Sequence, residues 1–160
     1  MGFCVPYAFT GDWMFSLVSA FAAVIPDSVE MALGFSFAEH SVPWGNVQRG
    51  GIFKHRGILH NPIFWTLVCL FFYGAILSLI PDEYKGICAS LLLAVVVGIF
   101  LHLAGDVMTM SGVPLNLTGS KRMSLGLFRT GSLCEVAFVV LFILLAFGEW
   151  IYYFMVQSYK

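Results

Sequence analysis

The residues able to do chemistry in this chain are few and unevenly placed. Only nine of its 160 positions are Asp or Glu and four are His. Yet Asp27, Glu30, His55, His60, His102, Asp106 and Glu135 all fall where apolar runs begin or end. His102 and Asp106 are four apart at the close of an apolar run, so on a helix they share a face with Cβ atoms about 6 Å apart. That spacing suits two ligands of one metal ion. His55 and His60 stand just ahead of another apolar run, and Asp27 follows Pro26 with Glu30 one helical turn on. Singly, each has an ordinary explanation: a helix-end histidine bonding a carbonyl, a turn aspartate, a glutamate favoured by the helix dipole. Together they point to a site, because drawing carboxylates and imidazoles together in an oily chain costs desolvation free energy unless they bind something.

Imidazole and carboxylate donors without thiolates favour zinc over manganese or iron, and several carboxylates allow more than one ion. A metal with an open position lowers the pKa of bound water and supplies hydroxide for hydrolysis. Arg56, between the two histidines, and nearby Lys54 suit an anionic phosphate, although a basic residue there equally obeys the rule for membrane-surface loops. Glu30, His55 and Glu135 are the candidates for moving a proton. His40, next to Glu39, reads as a surface residue. Cys4, Cys69, Cys88 and Cys134 stand singly, with no Cys-x-x-Cys pair, which suggests neither a thiolate zinc site nor a disulfide framework.

The elements that must position these residues are membrane helices. With 59% hydrophobic and 11% charged residues and a mean hydropathy of +0.89, the chain is too apolar for a soluble core. It reads as an integral membrane protein. Residues 62–80, 86–105 and 133–154 are long enough to span a bilayer. A fourth run, 13–25, is short and either starts earlier, near Val5, or continues past Pro26 towards Gly34. The expectation is one all-α membrane domain over residues 1–160, a bundle of about four transmembrane helices. The first segment lacks a basic start or a cleavage site and is expected to remain as an anchor. Arg49, Lys54, Arg56, Lys121, Arg122 and Arg129 lie in the two long loops, against Lys85 and Lys160 on the opposite side. That bias places the long loops and the site in the cytoplasm and both termini outside. A net charge of −1 offers nucleic acid no electrostatic footprint.

The order of motifs resembles a family. Gly11-Asp12-Trp13 leading to Pro26-Asp27, then His55-Arg56-Gly57-x-x-His60, then His102-x-x-x-Asp106 with Thr109, Gly112, Val113 and Pro114, and finally Gly131-Ser132 before Glu135, is similar to the YdjM-like inner-membrane metal-dependent hydrolases. That family looks related to the superfamily of zinc-dependent phospholipases C and single-strand nucleases. The resemblance implies that Asp27, His60, His102 and Asp106 are direct zinc ligands, with His55 and Glu135 as further ligands or proton-handling groups. It implies hydrolysis of a phosphoester, plausibly in a membrane lipid, at a bacterial inner membrane. A competing expectation is a non-catalytic membrane module whose closed, structural metal site helps it dock other membrane subunits. Association into homo- or hetero-oligomers could use small residues such as Gly98 and Ala104. A transporter fits less well, since no ionisable residue is expected at the bilayer midplane.

Overall fold

The computed structural model describes residues 2–32, 57–116, 121–130 and 132–158. In chain order it contains α1 (Cys4–Thr10), α2 (Trp13–Ala22), α3 (Ile25–Ala32), a 3₁₀ turn (Ile58–His60), α4 (Pro62–Leu79), α5 (Asp82–Met108), a two-stranded ribbon of β1 (Val113–Pro114) and β2 (Arg122–Met123), and α6 (Leu133–Ser158). The helical expectation holds, with the ribbon as the one addition. Among the described residues three segments are long and apolar enough to cross a membrane: Trp13–Ala32, Pro62–Leu79 and Asp82–Met108. Where the fourth span was expected, α6 is one helix of 26 residues, about 39 Å long at about 1.5 Å per residue.

The first span takes the longer of its two possible paths past the proline. Asp12 starts α2 by accepting hydrogen bonds from the backbone N–H groups of Met14 and Phe15, the usual cap of a helix N-terminus. Pro26 offers no N–H, so the ladder breaks at 23–24 and resumes when Ser28 donates to the Val24 carbonyl. The result is a kinked path from Trp13 to Ala32. α1 is a separate helix, because Gly11 adopts the left-handed conformation (φ 64°) and closes it with a bond from its N–H to Tyr7. The chain then reverses, and Gly2 packs on Ser19, Ala20 and Ala23. The first residues therefore lie beside the far end of α2 rather than beside Trp13, which departs from the expected outside start.

α2 and α5 form the most extensive contact between elements. Their closest approach is at Gly98, where a Cβ would collide with the Ser19 carbonyl oxygen and the Ala22 side chain. This small residue is thus occupied within the chain. Gly98→Ala is expected to destabilise the protein by roughly 1–3 kcal/mol, read as earlier thermal unfolding in detergent. Gly74→Ala, with open space around its Cβ, should leave the midpoint unchanged. An unaltered midpoint for Gly98→Ala would contradict the packing.

The core gathers at one end of the helices, where Ala22, Trp65, Ile99, Leu103 and Val113 are buried together. It is closed by the chain that follows α5. A helix end leaves carbonyls without intrahelical partners, and here the N–H groups of Leu125 and Leu127 donate to the carbonyls of Val107 and Met108. Gly112 turns with φ 61°, and β1 pairs antiparallel with β2 through Val113 with Met123 and Pro114 with Arg122. Part of the stretch that read as an irregular loop is thus a lid over this end of α5.

Candidate metal centre

Polar residues from four elements meet beside that core. Asp27 and Glu30 come from α3, three apart and so on adjoining positions of one face. His102 and Asp106 come from the last turns of α5, and His60 ends the 3₁₀ turn before α4. His60 is held by its neighbours. Asn61 caps α4 by accepting from the N–H groups of Ile63 and Phe64, at 2.8 and 3.1 Å, and donates from its side-chain amide to the Pro114 carbonyl at 3.2 Å. Trp65 donates its indole N–H to the Leu59 carbonyl at 2.6 Å. Both side chains are buried, so the position of His60 is tied at once to α4 and to the ribbon. At the other edge, the hydroxyl of Thr109 donates to the Asp106 carbonyl.

The separations within the cluster have the size of a coordination shell. Nε2 of His60 lies 3.0 Å from Asp27 Oδ1 and 3.5 Å from Asp106 Oδ2. Nε2 of His102 lies 3.7 Å from Asp27 Oδ1, 3.4 Å from Asp106 Oδ2 and 3.4 Å from His60 Nε2. A tetrahedral zinc ion with bonds of about 2.0–2.1 Å requires ligand atoms about 3.3–3.4 Å apart. All five separations that involve an imidazole nitrogen fall around that value. Asp27, His60 and His102 form the tightest group, each offering a ligand atom within 4.8 Å of the others. The donor set of two imidazoles and two carboxylates is also the chemistry that zinc accepts, so the residues fit the ion.

Glu30 takes a different place. Its Oε2 lies 3.1 Å from Nδ1 of His60, and its side chain is 2% exposed. It thus occupies the ring nitrogen that does not face the other ligand atoms. This is the arrangement in which a carboxylate fixes the tautomer and orientation of a metal-binding histidine. Sequence reasoning grouped Glu30 with the proton-handling residues; the geometry suits an orienting role.

Burial works against a charge on His60, but its hydrogen bonds to Asp27 and Glu30 and the negative charges of Asp106 and Glu30 push its pKa up to about 9. With no metal bound, both ring nitrogens therefore carry protons and donate to Asp27 and Glu30. A pKa raised on folding favours the native state most at pH values below the unfolded value near 6.5, and that advantage is lost as pH climbs through about 9. A metal needs the neutral imidazole, so proton and metal compete. Zinc affinity of the metal-free protein should therefore rise steadily between pH 6.5 and 9. Titration against a chromogenic chelator across that range checks this, and a flat affinity would refute it.

Not every expected residue joins the cluster. Lys54, His55 and Arg56 lie outside the described residues, as does His40. Glu135 sits in the first turn of α6, where its backbone N–H donates to the Ser132 carbonyl at 3.1 Å. Asn61 and Trp65 were missed. An Asn-Pro step before an apolar run is an N-cap signal, but nothing local points to the bond with Pro114.

Helices of membrane-crossing length that meet over a histidine–carboxylate cluster define a small integral membrane protein with a candidate metal site. Over residues 1–158 the chain matches the YdjM inner membrane protein family, and it belongs to that family. The motif order that suggested the family is thereby borne out. Comparison with curated proteins and with solved structures found no match.

Proposed function

We propose that this protein is a metal-dependent hydrolase that cleaves a phosphoester at the cytoplasmic face of the bacterial inner membrane. The observation that carries this reading is the set of five imidazole-centred separations of 3.0–3.7 Å. Asp27, His60, His102 and Asp106 would hold the ion. When bound there, zinc would supply an activated water at neutral pH and polarise the phosphoryl oxygen. Burial of His60 and Asp106 keeps bulk water from one side, whereas the Asp27 side chain is 54% exposed and marks the side from which a substrate can approach. That exposure favours a catalytic site over a closed structural one. Lys54 and Arg56 would orient the anionic group, and His55 or Glu135 would carry a proton. The six basic residues of the two long loops support the cytoplasmic placement.

The test is zinc content and turnover of the purified protein on a chromogenic phosphodiester. Chelation should stop hydrolysis and zinc should restore it. A protein that holds zinc tightly yet hydrolyses no phosphoester would favour a structural centre in a membrane module, and activity unaffected by chelation would sink the reading.

A further inference from the structure

Alongside the core, the facing sides of α4 and α5 leave a groove of about 470 Å³ lined among others by Thr66, Cys69, Tyr73, Ala89, Val96 and Phe100. α4 leads away from the metal centre and α5 returns to it. Thr66, six residues after His60, and Phe100, two before His102, therefore mark the end near the site. Tyr73 and Ala89 mark the end remote from it. No charged residue lines the groove, and the Thr66 hydroxyl is already donated to the Pro62 carbonyl. Both walls are candidate membrane spans, and α4 also exposes Leu67, Phe71 and Leu77. The groove thus opens to hydrocarbon at one depth and meets the polar cluster at another.

Its size decides what can enter. A helix about 10 Å across, laid along the seven residues from Thr66 to Tyr73, would need roughly 800 Å³. The groove offers about 470 Å³, too little for a helix from this chain or another but within the range of small-ligand sites. We infer that the α4–α5 groove holds one acyl chain of a membrane lipid whose phosphate-bearing headgroup lies at the metal centre. The headgroup half of this inference rests on the hydrolase reading; the acyl-chain half does not. It narrows the substrate class from phosphoesters in general to lipids with a long chain, because a chain seated in the groove converts apolar burial into positioning of the headgroup.

The zinc-loaded full chain in lipid nanodiscs tests both halves. A phosphatidylglycerol carrying a diazirine midway along one acyl chain should, on illumination, attach to Cys69, Leu70, Leu93 and Val96 severalfold more than to Leu141 and Ile143, which are exposed on α6. Ala89→Trp and Val96→Trp, which fill the groove at two depths, should abolish that preference. They should also slow hydrolysis of the long-chain lipid by about tenfold or more while leaving turnover of a water-soluble phosphodiester unchanged. That retained turnover also shows that the variants fold. Labelling spread evenly over groove and α6 overturns the inference, as does wild-type lipid hydrolysis by both filled variants. Groove labelling in a protein that cleaves no phosphoester would remove the hydrolase reading and keep the acyl site. Turnover with even labelling would do the reverse.

Discussion

His60→Ala should abolish zinc binding and phosphodiester hydrolysis together. The Nε2 atom of His60 takes part in three of the five close separations, to Asp27, Asp106 and His102, so its loss removes the point on which the other donors converge. The effect should exceed the 10–100-fold that loss of a supporting hydrogen bond costs a metal site, since a ligand itself disappears. A second consequence follows from burial. Glu30 is 2% exposed and pairs with Nδ1 of the same ring. Removing the histidine leaves a buried carboxylate without its partner, a change that costs roughly 3–5 kcal/mol in comparable buried pairs. His60→Ala can therefore fail by unfolding as well as by losing zinc.

His102→Ala separates the two causes. Its side chain is 18% exposed and Asp106 keeps a backbone-anchored helix turn beneath it, so the fold should survive while zinc is lost. Metal analysis of the monodisperse protein, with helical content from circular dichroism and turnover on the same sample, reads all three properties. His102→Ala protein that keeps its helical content, its zinc and its activity would remove the proposed centre.

The parts of this site that were legible in the sequence are those set by local geometry. His102 and Asp106 share a face because they are four apart on one helix, and Asp27 and Glu30 because they are one turn apart on another. The end of one span, the start of the next and the end of the third must also alternate across a bilayer, which brought these pairs to one side. What was not legible depends on how distant segments pack. Asp27 and Glu30 flank the same imidazole, yet only the placement of His60, fixed through Asn61 and Pro114, assigns each carboxylate its own ring nitrogen. Gly11 followed by Asp12 contains a helix stop and a helix start, but not the reversal that returns Gly2 to Ala23. The ribbon after α5 has strands of two residues each, too short for an alternating pattern, and is held by carbonyls left over at the helix end. Gly98 resembles any small residue of a membrane helix until Ser19 and Ala22 are seen against it.

The role of Glu30 yields the second large effect and distinguishes two chemistries for one residue. If it orients His60, Glu30→Ala leaves Nδ1 buried without its carboxylate, the ring loses a fixed tautomer, and zinc affinity should fall by roughly 10–100-fold, equivalent to about 1.4–2.7 kcal/mol. Turnover at saturating zinc should then recover much of the wild-type rate, because the ion, once bound, sits among the same ligands. Glu30→Gln preserves an acceptor for the Nδ1 proton without the charge and should lose less affinity than the alanine variant. If Glu30 instead handles the proton of the attacking water, both variants should bind zinc like the wild type and lose turnover at every zinc concentration, with the acidic limb of the pH–rate profile displaced. Zinc affinity and kcat measured on the same two variants therefore pull in opposite directions for the two roles. The 3.1 Å contact to Nδ1, on the ring nitrogen facing away from the other donors, predicts the first pattern.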